Sequence, residues 1–251
     1  MNICSQSDTF IKVYGDEKGI KLFAKAGFES IDFSMFYPVD KGILAEPDDV
    51  VRASSILGAN YAIVHPAILR ENRYGSLAAE NKAVNVDLYS RLIPYLDEYG
   101  IKIAIENMFN YDPIKKCICP TVCSSSEEMA DYVDTMNSLC KNGDRFVACL
   151  DVGHANLAGD KPIGDMVRTL GSRLKSLHIH DNNGINDEHT APGFGNIKFD
   201  EFCAALKEIG YDGDFIFEAD SFYDRFDKSL TYDAGSLLYK IGRNIAEKYS
   251  L

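Results

Sequence analysis

Five short apolar segments of this chain each lead into a side chain that can bind a metal ion. The segments are residues 61–64, 103–105, 147–150, 176–177 and 215–217, and the residues that follow them are His65, Glu106, Asp151, His178 and Glu218. A buried parallel strand presents its last side chain at the carboxyl edge of the sheet, where barrel active sites lie. Carboxylate oxygen together with imidazole nitrogen suits Mn, Zn, Fe or Co better than Ca. The pattern therefore predicts a metal site at the mouth of a barrel.

Residues 150–156 place a carboxylate and an imidazole three positions apart. Gly153 lies between Asp151 and His154 and lets the backbone bend, so that both side chains can face the site. The alternative is that Asp151 only caps the next helix and that His154 is an ordinary loop histidine.

The run 177–183 contains two histidines separated by one residue. Strand alternation places His178 and His180 on one face and Ile179 on the other. Buried polar groups are costly when unpaired, so a metal ion or a substrate must account for them. For His180, a supporting or purely structural role is an equal alternative.

Glu106 and Glu218 each end an apolar strand, where an unpaired carboxylate would be costly to bury. Two such carboxylates that face one divalent ion satisfy each other through it. The alternative partner is a lysine or arginine from a neighbouring helix.

A polar loop with Asp187 and His189 precedes the glycine-rich segment 192–196. These two residues could join His154 as a second ligand set, but a loop that closes over substrate is the preferred interpretation. The glycine-rich segment indicates a shaped active-site loop. It lacks the Lys-Ser/Thr ending of a phosphate-binding loop.

Strand and helix patterns alternate along the chain, which predicts βαβ units and a parallel sheet. Strands are expected at 2–5, 28–34, 60–65, 101–106, 145–151, 174–181 and 214–219. Helices are expected at 48–57, 80–99 with a kink at Pro94, after a Ser125/Glu128 capping box, at 163–170, 199–209 and 229–248. The fold class is therefore α/β, a TIM-type (β/α) barrel in one domain of residues 1–251. One strand–helix unit is shortened or missing after residue 36, unless a short strand near 41–45 completes the barrel.

The composition and net charge limit the classes of partner that this protein is expected to bind. The net charge of −12 disfavours nucleic acid, and no apolar run approaches the ~18 residues of a membrane span. The start of the chain lacks the features of a signal peptide, so a cytoplasmic location is expected. The seven scattered cysteines indicate reduced thiols, and residues 117–123 are expected to form an ordinary loop. A homo-oligomer is compatible with the sequence.

Six short motifs, in order along the whole chain, resemble those of the xylose-isomerase-like barrel superfamily. Within it, they are most similar to the sugar phosphate isomerase/epimerase group. The motifs are Val64-His65-Pro66, Ile105-Glu106-Asn107, residues 150–154, residues 178–182, residues 187–189 with 192–197, and Phe217-Glu218.

The resemblance implies one divalent ion, Mn or Zn in preference to Co or Mg. The implied metal ligands are Glu106, Asp151, His178 and Glu218. Glu106 and Glu218 are implied to be the catalytic pair that removes and returns a proton. The residues expected to bind a small sugar substrate are His65, His154, His180 and His189.

The implied reaction is isomerisation or epimerisation of a sugar or sugar derivative in carbohydrate metabolism. It begins with proton abstraction next to a carbonyl and passes through an enediolate. A dehydratase of a cyclic polyol, of the inosose type, would begin with the same step. An apurinic-site endonuclease-like phosphodiesterase is a further alternative, because His154, Asp187 and His189 match the third-metal ligands of that family. The endonuclease family has a histidine on its second strand, and residues 31–36 of this chain contain no counterpart. The short segment after residue 36 also keeps the alternative that the protein is a non-catalytic relative.

Overall fold

The computed structural model describes residues 1–33 and 47–251, and within these ranges two sheets are present. The strands are β1 (Ile3–Gln6), β2 (Ser30–Asp32), β3 (Tyr61–Val64), β4 (Lys102–Glu106), β5 (Phe109–Asp112), β6 (Cys117–Pro120), β7 (Phe146–Asp151), β8 (Leu174–Ile179) and β9 (Phe215–Phe217). The helices are α1 (Asp8–Tyr14), α2 (Asp16–Ala26), α3 (Pro47–Ile56), α4 (Ala78–Ser90), α5 (Ile93–Tyr99), α6 (Ser126–Leu139), α7 (Val152–Ala158), α8 (Ile163–Leu170), α9 (Phe199–Glu208), α10 (Asp220–Tyr223) and α11 (Thr231–Tyr249).

Seven parallel strands form the main sheet, in the order β2-β1-β9-β8-β7-β4-β3. The sheet curls into a half-barrel with helices, which confirms the predicted TIM-barrel-like fold. All seven predicted strands are found, with small differences at their ends. The strand proposed near 41–45 lies outside the described residues.

The two faces of the strands pack in different clusters, as the period of two requires. Ile103 and Ile105 of β4 belong to the large core beneath the helices. Ala104, between them, joins Val147 and Cys149 of β7 in a small buried cluster on the other face. Glu106 and Asp151 continue this second face, so the small cluster lies beneath the predicted site.

One helix prediction is wrong at its centre. The chain forms α4 and α5 in place of one kinked helix over 80–99. Pro94 lies in the first turn of α5, where its missing N–H would have had no partner within the helix. The helix break therefore precedes the proline.

The capping box before α6 is half formed. The Ser125 side chain accepts a hydrogen bond from the Glu128 amide at 3.1 Å. The Glu128 carboxylate accepts from the Cys123 amide at 2.8 Å, and not from that of Ser125.

Several elements were not predicted, among them α1, α2, α7 and the β5–β6 hairpin. The expected loop at 117–123 is wrong for its first part, because Cys117–Pro120 pairs with Phe109–Asp112 as an antiparallel strand. All seven cysteines are free thiols. Among the described residues, no helix combines the length and apolar character of a membrane span.

Candidate metal centre

Four side chains from four strand ends converge at the carboxyl edge of the sheet. Glu106, Asp151, His178 and Glu218 each offer one ligand atom, and these atoms all lie within 4.8 Å of one another. The Nδ1 atom of His178 lies 3.2 Å from Glu106 Oε1, 3.1 Å from Glu218 Oε2 and 4.0 Å from Asp151 Oδ2. The convergence expected from the sequence is thus present in the structure.

These donors fit a divalent cation. Glu106 Oε2 and Asp151 Oδ2 are buried and accept no hydrogen bond of normal geometry. Three carboxylates crowded around one imidazole repel one another unless a positive charge lies between them. The alternative of a lysine or arginine partner is not found among the described residues, where the ion-pair partners of these carboxylates are histidines.

The protonation states of the cluster reflect this crowding. Burial alone would raise the pKa of Glu106, but His178, His65 and His154 outweigh it and hold that pKa well below its usual range. Burial opposes protonation of His178, whereas Cys149, Glu218 and Glu106 raise its pKa well above the usual value. In the metal-free protein, the positive charge of protonated His178 therefore offsets part of the repulsion among the carboxylates, as a bound cation would.

His65 follows β3 and lies on the solvent-exposed side of the metal centre. Its Nε2 atom lies 3.1 Å from Glu106 Oε2, and its side chain is 56% exposed. The Glu106 carboxylate raises the pKa of His65. This position allows contact with both the cluster and a bound molecule.

Asp151 combines the two roles that were considered as alternatives. Its Oδ1 atom accepts the His154 amide at 2.6 Å and so caps α7, while Oδ2 faces the cluster. His154 lies in the first turn of α7 and not in a loop. Its Nδ1 atom contacts the Asn107 carbonyl oxygen at 2.9 Å, and Nε2 lies 3.7 Å from Asp187.

The structural role of Gly153 differs from the one predicted. It lies inside α7, and a Cβ atom there would overlap the imidazole ring of His180. The glycine therefore makes room for His180 and does not provide a bend.

His180, which is expected to bind substrate, is fully buried. Its Nε2 atom lies 3.0 Å from Asp151 Oδ1, and its ring stacks on that of His189 with centroids 4.1 Å apart. The structure favours the alternative considered for this residue, in which it supports Asp151.

The loop after β8 brings Asp187 and His189 to the same mouth. His189 Nδ1 lies 2.8 Å from the Glu218 carbonyl oxygen, and its Nε2 lies 2.8 Å from Asp187 Oδ2. Burial opposes protonation of His189, but Asp187 raises its pKa to about 9. Ligand atoms of a second group lie within 4.8 Å of one another; this group is His154, His180, Asp187 and His189.

Two residues of the site were missed from the sequence. Gln6, the last residue of β1, donates a hydrogen bond from Nε2 to Glu218 Oε1 at 2.5 Å. Asp32, the last residue of β2, has Oδ2 3.5 Å from His178 Nε2. The same rule, a polar residue at the end of each strand, would have identified both.

The chain belongs to the xylose isomerase-like TIM barrel family, whose model matches residues 39–236. An uncharacterized protein of Methanocaldococcus jannaschii is 34% identical over 168 residues, which are 66% of this chain and 52% of that protein. The L-ribulose 3-epimerase of Methylomonas sp. is 27% identical over 188 residues, 72% of this chain and 58% of the epimerase. The chain thus spans little more than half the length of these curated relatives.

Solved structures show the same fold. The D-allulose 3-epimerase from Methylomonas sp. superposes with a TM-score of 0.72 at 20% identity, over 99% of this chain and 98% of that one. The IOLI protein with a bound zinc atom superposes with a TM-score of 0.67 at 19% identity, over 99% of both chains.

Proposed function

We propose that this protein is a divalent-metal-dependent isomerase or epimerase of a sugar. The observation that carries the proposal is the placement of Glu106 and Glu218, both within 3.2 Å of the same nitrogen of His178. Two carboxylates around one metal-binding point can take and return a proton. Family relatives that include an L-ribulose 3-epimerase support this class of reaction.

The donor set suits Mn or Zn, with Co or Mg as less favoured ions. Glu106, Asp151 and Glu218 would hold the ion through carboxylate oxygens, and His178 through Nδ1. When bound, such an ion polarises the carbonyl of a sugar and stabilises the negative charge that develops there.

The two glutamates carry the proton transfer. One carboxylate oxygen accepts the proton from the carbon next to the carbonyl, and the electron pair left behind forms the enediolate. The other glutamate, in its protonated form, gives a proton back to carbon and completes the isomerisation or epimerisation. Gln6 holds Oε1 of Glu218 at 2.5 Å, which limits rotation of that carboxylate.

Histidines at the mouth orient the substrate. His65 is the most exposed of them, and its imidazole can hydrogen-bond a sugar hydroxyl. His154 directs Nε2 away from the Asn107 carbonyl, toward the side occupied by Asp187. His189 contacts the Glu218 carbonyl oxygen and the Asp187 carboxylate, and it contributes positive charge to the region near Asp187.

The charge of the mouth favours an unphosphorylated substrate. Five carboxylates lie in or against the cluster: Glu106, Asp151, Glu218, Asp187 and Asp32. A divalent ion and the protonated imidazoles of His154 and His189 offset four of these five negative charges, so the mouth offers a phosphate dianion no excess of positive charge. Neutral ketoses and related polyols are therefore the proposed substrate class.

The second group of potential ligands favours an endonuclease-like site as the competing candidate. Counting the metal in purified protein separates the two candidates. The proposed isomerase requires one ion per chain, whereas the endonuclease type requires about three zinc ions.

The decisive experiment incubates Mn²⁺-loaded protein with a panel of free ketoses in D₂O. We expect deuterium at the carbon next to the carbonyl, with no loss of water. Loss of water would identify the dehydratase alternative, and no exchange with any sugar would contradict the proposal.

Glu218→Gln tests the assignment within the same assay. Removal of a general base should lower the exchange rate about 10²- to 10⁴-fold, and metal binding should weaken as well. Glu128→Gln is the matched control, because this carboxylate accepts from the Cys123 amide and belongs to neither group of potential metal ligands. Retention of both exchange and metal affinity would remove Glu218 from the mechanism.

A further inference from the structure

Asp181 lies just beyond β8, and both of its carboxylate oxygens are saturated by backbone amides. Oδ2 accepts from Gly193 and Gly195, each at 2.9 Å. Oδ1 accepts from Asn182 at 2.9 Å and from Ile197 at 3.1 Å. The residue is 1% exposed. Hydrogen bonds to a buried, ionised carboxylate are stronger than those between neutral groups.

The glycine-rich segment is shaped around this carboxylate. Gly193 has φ +93°, a conformation that side chains disfavour. A Cβ atom on Gly195 would overlap the Asp181 carboxylate and the Asn182 carbonyl oxygen. The segment that resembles a loop for an external anion therefore encloses an anion of its own chain.

Asp181 also holds the other arm of the loop through its backbone. Its amide donates to the Thr190 carbonyl at 2.8 Å, and the Thr190 amide donates back at 3.2 Å. Thr190 follows His189, which has φ +42°. One residue thus fixes both the segment that carries Asp187 and His189 and the glycine-rich segment that follows it.

We propose that Asp181 is a positioning residue of the site, which acts by holding the loop 182–197 so that Asp187 and His189 lie at the mouth. The substrate-facing role of these two residues rests on the proposed function. The anchoring of their loop by Asp181 does not rest on the proposed function, and it can be measured without any sugar.

Asp181→Asn is the test variant. An asparagine at this position keeps one acceptor oxygen, but its amide group meets two of the four backbone donors and cannot accept from them. Asp112→Asn is the matched control. Asp112 is also a buried carboxylate that accepts two backbone amides, those of Ile114 and Lys115, but it lies in the β5–β6 hairpin.

Two readouts report on the loop directly. Chymotrypsin should cleave after the exposed Phe194 about tenfold faster in Asp181→Asn than in the natural protein, because the loop opens more often. Diethyl pyrocarbonate should modify His189 faster by a similar factor, measured by peptide mass spectrometry against His65. The Asp112→Asn variant should match the natural protein in both assays.

A third readout separates positioning from general destabilisation. Mn²⁺ affinity should stay within about twofold, because the four ligands stand on β4, β7, β8 and just after β9. With a ketose that the natural protein converts, KM should rise more than kcat falls.

Unchanged cleavage and unchanged His189 modification in Asp181→Asn would overturn the inference. So would equal losses of metal affinity and loop order, since they would indicate general unfolding. If Asp181→Asn does not fold, Gly195→Ala takes its place, because it displaces the loop and leaves the carboxylate intact; it must then show the same two accelerations. Failure of all sugars to react would contradict the proposed function and leave the two loop readouts decisive for Asp181.

Discussion

Asp32 Oδ2 lies 3.5 Å from Nε2 of His178, while Nδ1 of the same ring faces Glu106 and Glu218. The imidazole is therefore held between a carboxylate behind it and the cluster in front. His178 Nε2 is buried and has no hydrogen bond, so Asp32 is its nearest charged partner among the described residues. A carboxylate behind a metal-binding histidine orients the ring and increases its basicity.

Asp32→Asn should weaken Mn²⁺ or Zn²⁺ affinity by about tenfold or more, because the ring loses its charged partner. Equilibrium dialysis or isothermal titration calorimetry measures the effect. Asp214→Asn is the control, since Asp214 binds Asn2 and Ser30 just before β9, at the opposite end of the sheet. Equal affinities of the Asp32 variant and the control would contradict this role.

Metal affinity should increase with pH by about tenfold for each pH unit between about pH 6 and 8. The reason is that the pKa of His178 is raised well above its usual value, so that a bound ion must displace a proton from Nδ1. Competition with a chelator, corrected by a parallel titration of the chelator alone, measures the slope. A constant affinity over this range would show that His178 binds no proton in the metal-free state.

The stability of the metal-free protein should depend on pH through His189 and Asp187. The pKa of His189 is raised to about 9, so its stabilising effect is complete below its unfolded value of about 6.5 and is lost as the pH rises toward 9. The pKa of Asp187 is lowered, chiefly by His154 and His189 against the effect of burial. Its contribution is present above about pH 4 and is lost in acid.

The pair is therefore strongest between about pH 4 and 6.5, and His189→Gln should cost more stability at pH 6 than at pH 9. Chemical denaturation of both proteins at the two pH values gives the difference. An equal cost at both values would mean that His189 carries no pH-dependent stabilisation.

Gly153→Ala should lower the free energy of unfolding by about 1–3 kcal/mol, because the new methyl group overlaps the buried ring of His180. The matched comparison is the same substitution in a His180→Ala background, where the ring is absent. There the cost should be smaller, and urea denaturation of the four proteins measures the coupling. Identical costs in both backgrounds would disprove the steric explanation.

The sheet and the four converging ligands follow from local sequence, because a buried parallel strand needs a nearly continuous apolar run and a strand end has a fixed direction. Gln6 and Asp32 obey the same rule but were overlooked, because the strands were expected to end at residues 5 and 34, whereas β1 ends at Gln6 and β2 at Asp32. The β5–β6 hairpin was missed because Lys116, at φ +55°, takes the left-handed turn position usually held by glycine or asparagine.

Other features depend on contacts between residues distant in sequence. The burial of His180 follows from its stacking on His189 and from the space left by Gly153. No periodicity in residues 177–183 encodes those partners. The position of His189 likewise depends on the loop and its hydrogen bonds to Glu218 and Asp187.

The β5–β6 hairpin follows β4 directly in the sequence, and the rings of Phe109, at its base, and His154 have centroids 5.0 Å apart in an edge-to-face arrangement. None of its residues belongs to the four-residue cluster. Mutations in this hairpin can therefore change the surroundings of His154 while the four-residue cluster stays intact. In the proposed isomerase, selectivity among sugars and the chemical step can then evolve on separate stretches of the polypeptide.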